Sequence, residues 1–205
     1  KAFCAGQDLK LYFRANEDNP KARARARRES HGWRWEKLSK YPKPTIAKVQ
    51  GHVAGGGNGL VAACDLAVAS TEALFAFSEV RLGVAPAVIS VACLMVMHRR
   101  DAQELFLTGE RVDADRALRA GLLTSVVRPD GLDAAVAGYT RLLSEGGPLA
   151  LAAAKDLIRR IPALPREAAF DEAALRSAAL FSSPEAKEGM TAFLEKRAAS
   201  WVTSR

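Results

Sequence analysis

The sequence predicts an α/β fold that ends in an α-helical segment. Three observations lead there. Short β-rich runs at Thr45–Val53, Leu66–Ser70 and Leu74–Phe77 alternate with helix-like stretches. A glycine run, Gly55-Gly56-Gly57, joins the first of them to a short apolar helix. From Leu132 onward the apolar spacing is helical to the end. With 205 residues, 49% of them hydrophobic and 26% charged, the chain is long enough for one sizeable core. The expected organisation is an α/β core over 1–130 and a helical segment over 131–205, within one globular unit.

The elements follow in order. The chain opens on KAFCAGQDLK with no methionine and no strand or capping signal, and it reads as a fragment. Residues 14–41 combine an ARARAR run with Trp33, Trp35 and Leu38, predicting a basic loop and then an amphipathic helix that stops before Pro42 and Pro44. One strand is expected over Thr45–Val53 and a buried helix over Asn58–Cys64, followed by strands at Leu66–Ser70 and Leu74–Phe77. Helices are expected over 88–98 and 101–107, the first almost wholly apolar and so buried. TGERVDADRALRAGLLTSVV predicts a turn, a capped helix from Ala114 to Ala120 closed by Gly121, and a strand ending at Val127. Gly146, Gly147 and Pro148 separate two later helices. Ser183-Pro184-Glu185 starts the last one, whose Met190, Phe193, Leu194 and Trp201 form an apolar face suited to a subunit contact.

Charge and cysteine usage narrow the function classes. The net charge is +7, but ten Lys or Arg against four acids between Arg14 and Lys43 account for +6 of it, so the basic character is a patch. That stretch reads as a solvated surface, with attraction of nucleic acid or another anionic partner as the alternative. The longest nearly apolar run, Val84–Met97, is broken by Pro86 and Ser90 and is too short for a membrane span. Cys4, Cys64 and Cys93 match no metal-ligand spacing and suit a reducing compartment, which places the protein in the cytoplasm.

Three segments carry the chemistry: AFCAGQDL at 2–9, GHVAGGGNGL at 51–60 and FSEVRLGVAP at 77–86. Gly56 can turn its N–H toward a ligand unhindered, and the helix behind it adds N-terminal partial positive charge, which suits an oxygen that becomes negative. No Gly-Lys-Ser/Thr follows, so a P-loop is excluded, and the acidic residue of a dinucleotide fingerprint is missing. Glu79 in isolation reads as an exposed or helix-capping carboxylate, but its place between apolar FAF and LGVAP predicts a partly buried carboxyl whose pKa should be raised, able both to take and to return a proton. His31, His52 and His98 lie far apart; His52, next to the glycine run, reads as a packed or hydrogen-bonded residue with substrate contact as the alternative, Cys4 as a small core residue and Asp65 as an element terminus.

These segments, with KPTIAKVQGHVAGGGNGLVAACDLAVAS, LTGERVDADRALRAGLL and EGMTAFLEKR, resemble the crotonase superfamily, the enoyl-CoA hydratase and isomerase family. The likeness covers most of the chain and implies a crotonase-like ββα spiral core, with the family's N-terminal portion absent. It assigns the backbone N–H groups of Gln7 and Gly56 as oxyanion-hole donors to a thioester oxygen and Glu79 as the acid-base residue. It places Ala5, Gly6, Asp8, Leu9, Val53, Gly55, Gly59, Ser78, Gly83 and Pro86 around the substrate. The family's first glutamate falls on Gly59, which has no acid-base group.

The pairing of GGGNGLVAACDLA with FSEVRLGVAPAVIS looks most like methylglutaconyl-CoA hydratase-like bacterial members, so hydration of a 2-enoyl-CoA, branched chains included, is the leading expectation. An isomerase using Glu79 alone is the alternative. An RNA-binding module stacking bases on Trp33 and Trp35, or a catalytically inactive subunit, are alternatives of other classes. The likeness further implies an acyl-CoA substrate, no cofactor beyond the coenzyme A of that substrate, no metal, no membrane partner, and a homotrimer or hexamer.

Overall fold

A computed structural model of the chain describes residues 2–10, 21 and 33–202. Most of the basic stretch that begins at Arg14, His31 included, lies outside the described residues. The chain forms two compact units, residues 1–41 with 45–136 and residues 42–44 with 137–205.

The first unit contains two small sheets. One runs β1–β3–β5–β6, from β1 (Ala2–Cys4), β3 (His52–Ala54), β5 (Leu74–Ala76) and β6 (Arg111–Asp113). Its first three strands are parallel, and β6 is antiparallel to β5. The other runs β2–β4–β7, all parallel, from β2 (Ile46–Val49), β4 (Leu66–Ser70) and β7 (Ser125–Val127). The helices between them are α1 (Trp33–Ser39), α2 (Gly56–Ala63), α3 (Ala87–Val96), α4 (Arg99–Thr108) and α5 (Ala114–Arg119). The core gathers Val49, Val53, Val61, Phe75, Phe77, Ile89, Cys93 and Leu105, each almost wholly buried.

The expected strand over Thr45–Val53 is two strands in different sheets. Ile46–Val49 pairs with Leu66–Ala69, whereas Val53 pairs with Phe75, and the chain changes sheet at Gln50-Gly51. Both halves are β-branched, so composition shows no boundary; the break is set by which partner each half finds. β1 and β6 were not expected, since each has only three residues and is a strand by virtue of its neighbour. The expected helices around α2, α3, α4 and α5 are present. Asp113 caps α5, its side chain accepting from the Arg116 N–H, and Gly121 takes a φ of 84° just beyond it.

Burial of α3 differs from expectation. Only Ile89 and Cys93 are buried, while Val91 and Met95 are 76% and 65% exposed. One side of this apolar helix packs on α2 and the rest faces outward.

Helix α2 sits tightly on the strands. A Cβ at Gly57 would lie 2.8 Å from Cys4 Cβ and 3.1 Å from Val53 Cγ1, so only glycine lets the helix approach β1 and β3 this closely.

The second unit is helical: most of α6 (Leu132–Ser144), then α7 (Pro148–Arg160), α8 (Arg166–Phe181) and α9 (Pro184–Leu194). Glu185 accepts from the N–H groups of Leu149 and Ala150 at 2.9 Å each, capping α7, while the Ser183 side chain caps α9. Asp156 joins α7 to α8 through Arg176 at 2.7 Å. Met190, Phe193 and Leu194 are exposed, but Trp201 leaves that apolar set: it is half-buried and donates from Nε1 to the Glu145 carbonyl at 3.2 Å. No helix among the described residues is long and apolar enough to cross a membrane.

Gly57→Ala should destabilise the fold by about 1–3 kcal/mol, because the new methyl group has no room. Gly138→Ala, mid-helix in α6 with nothing within 4 Å of the new Cβ, should stabilise it by about 0.5–1 kcal/mol. Denaturant unfolding of the two variants against wild type checks both signs.

Candidate active site

Because β1, β3 and β5 are parallel neighbours, their C-terminal ends lie along one edge, where parallel sheets hold their ligands. Ala5-Gly6-Gln7 continues from β1, Gly55-Gly56 from β3 and Phe77-Ser78-Glu79 from β5. The three segments singled out in the sequence therefore leave the sheet side by side.

Their approach is close. A Cβ on Gly6, whose φ is 86°, would stand 3.1 Å from the Ala54 carbonyl oxygen. Gly55 has φ 50° and ψ −121°, a conformation open to glycine, and its N–H donates to the Ala76 carbonyl at 3.1 Å. Asn58, fully buried, donates from Nδ2 to the carbonyls of Gly55 and Ala76 at 3.2 and 2.9 Å, tying the ends of β3 and β5 together. Helix α2 begins at Gly56 with no side chain capping it, so its first N–H groups have no intrahelical acceptor.

Glu79 lies in a 3-10 helix, Ser78–Leu82, held at both ends. At its start Phe77 is 1% exposed and its ring lies 4.7 Å from that of Phe106. At its end Gly83, with φ 75°, sends its N–H back to the Val80 carbonyl, and Arg81 Nε donates to the Thr108 carbonyl at 3.2 Å. The Glu79 carboxyl consequently stands over Gly55, with Oε1 3.4 Å from that glycine's Cβ position.

Burial pushes the Glu79 carboxyl above its ordinary pKa, and a hydrogen bond from its own backbone N–H partly offsets this. Its Oε2 is buried with no hydrogen-bond partner among the described residues. The Cys93 thiol is pushed up to about 12, first by burial and then by the negative charge of Glu79, which makes it an inert thiol facing the same carboxyl. A half-buried carboxyl with a raised pKa, beside free helix N–H groups, can exchange a proton with a carbon whose charge passes onto a held oxygen.

The other expected site residues divide. Ala5, Gly6, Gln7, Gly55, Gly56, Ser78 and Glu79 come together at the strand ends, and Asp8 and Leu9 continue outward from them as exposed residues. Val53 does not join them: it is 1% exposed, and its side chain faces the core under Gly57. Gly83 ends the 3-10 helix with nothing within 4 Å of its Cβ position, and Pro86 is buried before α3, so both shape the loop.

Gly59 is covered. A Cβ there would lie 2.5 Å from Trp35 Nε1 and 2.8 Å from Ile89 Cγ2. Trp35 thus packs, partly buried, against the core. Of the remaining candidates, Cys4 packs on Gly57, His52 and His98 are exposed, and Asp65 accepts from the N–H and hydroxyl of Thr45 at 2.7 and 2.9 Å, as befits an element terminus. Sequence reasoning missed Asn58, Trp35 and Cys93. The asparagine three residues after the N-cap glycine was the only local signal among them.

Glu79→Gln should raise thermal stability at neutral pH. With the folded pKa above the unfolded one, the unfolded chain ionises first, so wild-type stability falls as pH rises from the ordinary carboxyl range through the folded pKa. The variant's advantage in Tm should vanish below about pH 4; calorimetry across pH checks this.

The family model described as enoyl-CoA hydratase/isomerase matches residues 1–204. A putative enoyl-CoA hydratase of Thermus thermophilus is 33% identical over 201 residues, covering 96% of this chain and 78% of that protein. A hydroxycinnamoyl-CoA hydratase-lyase of Pseudomonas fluorescens is 36% identical over 162 residues, and the matched part is 59% of its length. Among solved structures, an enoyl-CoA hydratase from Shewanella pealeana superposes with a TM-score of 0.90 at 35% identity, covering 98% of this chain and 75% of that one. An enoyl-CoA hydratase/isomerase from Marinobacter aquaeolei gives 0.92 at 29% identity, covering 98% and 78%. The fold, the strand-end site and these matches agree: the chain belongs to the enoyl-CoA hydratase/isomerase family of the crotonase superfamily.

Proposed function

We propose that this chain is an enoyl-CoA hydratase, adding water across the double bond of a 2-enoyl-CoA, branched chains included. The observation that carries the reading is the half-buried Glu79 carboxyl standing over Gly55, beside the uncapped N-terminus of α2. The N–H groups of Gln7 and Gly56 hold the thioester oxygen. The Glu79 carboxylate takes a proton from water as its oxygen bonds to C3. The double-bond electrons pass to the thioester oxygen, and the resulting enolate takes that proton at C2. No metal or redox group enters these steps; coenzyme A belongs to the substrate. Loss of one oxyanion donor costs roughly 3–4 kcal/mol of transition-state stabilisation in comparable sites.

Gly59 favours a second reading, an isomerase in which Glu79 alone moves a proton from C2 to C4 of a 3-enoyl-CoA. Glu79→Gln should abolish turnover of crotonyl-CoA while thioester binding survives; undiminished turnover contradicts both readings. Mass spectrometry in oxygen-18 water separates them, because only hydration places solvent oxygen in the product.

Exposed Phe193 and Leu194, 81% and 79% accessible, with Met190 beside them, support self-association as a homotrimer or hexamer. Sedimentation should give three or six copies, and Phe193→Lys should shift the protein toward monomer. Three free thiols support a cytoplasmic location.

A further inference from the structure

The position where the family's hydratases carry their first glutamate is filled here by another residue. Any side chain at Gly59 would collide with Trp35: Nε1 lies 2.5 Å and Cε2 3.0 Å from the Cβ position, with Ile89 Cγ2 at 2.8 Å behind. The same indole reaches back along the helix, its Cζ2 3.9 Å from the Cβ position of Gly56. Gly56 and Gly59 are thus both roofed by Trp35, while Gly55 is roofed by the Glu79 carboxyl.

Trp35 Nε1, Glu79 Oε2 and Asn58 Oδ1 are buried without a hydrogen-bond partner among the described residues, and the first two are complementary: Trp35 Nε1 can only donate, and Glu79 Oε2 is an acceptor when ionised. The indole over Gly56 and the carboxyl over Gly55 stand above adjacent residues at the start of α2. One oxygen hydrogen-bonded to both groups, at ~2.8 Å per bond, can link a donor and an acceptor up to about 5–6 Å apart. A hydroxyl or a water can accept from the indole while donating to the carboxylate; a methylene can do neither.

We propose that the Trp35 indole N–H is the second hydrogen-bonding group of the site, holding the oxygen at C3 of the acyl chain: the attacking water before addition and the 3-hydroxyl afterwards. The inference rests on the acyl-CoA hydratase reading and deepens it. The indole N–H is far too weak an acid to act in acid-base catalysis at these pH values, so every proton transfer stays with Glu79. Trp35 fixes where the oxygen stands: its N–H donates to the water oxygen while Glu79 takes one of that water's protons, and the same N–H stays on the oxygen once it is bonded to C3. The site therefore selects ligands with a hydroxyl at C3.

The test compares 3-hydroxybutanoyl-CoA with butanoyl-CoA by isothermal titration calorimetry on the full chain and on Trp35→Phe, which keeps a ring but loses the donor. Trp35→Phe should weaken 3-hydroxybutanoyl-CoA about tenfold, leave butanoyl-CoA within about twofold, and lower kcat for hydration more than it raises KM. An unchanged preference between the two thioesters overturns the role of Trp35 while leaving the hydratase reading intact. Failure of wild type to bind either thioester overturns the hydratase reading and this inference with it.

If Trp35→Phe does not fold, nitrogen-15 tryptophan labelling of wild type decides. The indole signal slowest in solvent exchange should move on adding 3-hydroxybutanoyl-CoA and stay with butanoyl-CoA. Equal shifts with both ligands contradict the proposal.

Discussion

Asn58 donates from one amide to the carbonyls of Gly55 and Ala76, and the geometry of the site depends on that link. It joins the ends of β3 and β5 where each strand gives way to a functional segment. A buried amide making two such bonds over-determines the backbone around it, which is what holds Gly55 at φ 50° and ψ −121°. Because Gly55 turns there, α2 starts at Gly56 with no side chain capping it. The glycine run is thus more than a flexible turn: Gly55 supplies the backbone angle, Gly57 the close approach to Cys4 and Val53, and Gly59 the space taken by Trp35.

The carboxyl that the site needs is one that the fold would be more stable without. Glu79 is desolvated above Gly55 and near the buried Cys93 thiol, and burial is the main influence on its pKa. A structural carboxylate would instead resemble Asp156, which three arginines surround and whose pKa is lowered despite its own desolvation. The contrast between these two acids sets the desolvated carboxyl that the proposed function uses for proton transfer apart from one paired for stability. The anchoring of the 3-10 helix by Phe77, Arg81 and Gly83 offsets the cost of holding Glu79 in that environment.

Much of this was legible in the sequence, and the rest was hidden for identifiable reasons. The glycine run, the Asp113 and Ser183 caps and the apolar spacing of the later helices are local signals, and the elements they mark stand where expected. The split of Thr45–Val53 between two sheets was invisible because both halves have strand composition and only distant partners distinguish them. β1 and β6 are strands for the same non-local reason. The raised pKa of Glu79 could be read from its apolar flanks. The indole over Gly59 could not, since Trp35 and Gly59 are joined only by tertiary packing, and the absence of a glutamate in the sequence says nothing of what fills its space.

In the proposed function the strand ends of β1, β3 and β5 hold a thioester with its carbonyl oxygen between two backbone N–H groups and its C2 toward Glu79. A crystal structure of the full chain with butanoyl-CoA tests it most directly. The account predicts the thioester oxygen about 2.7–3.1 Å from both the Gln7 and Gly56 nitrogens, with Glu79 the nearest carboxyl to C2. A thioester bound away from α2, or one whose carbonyl points away from these N–H groups, would contradict it.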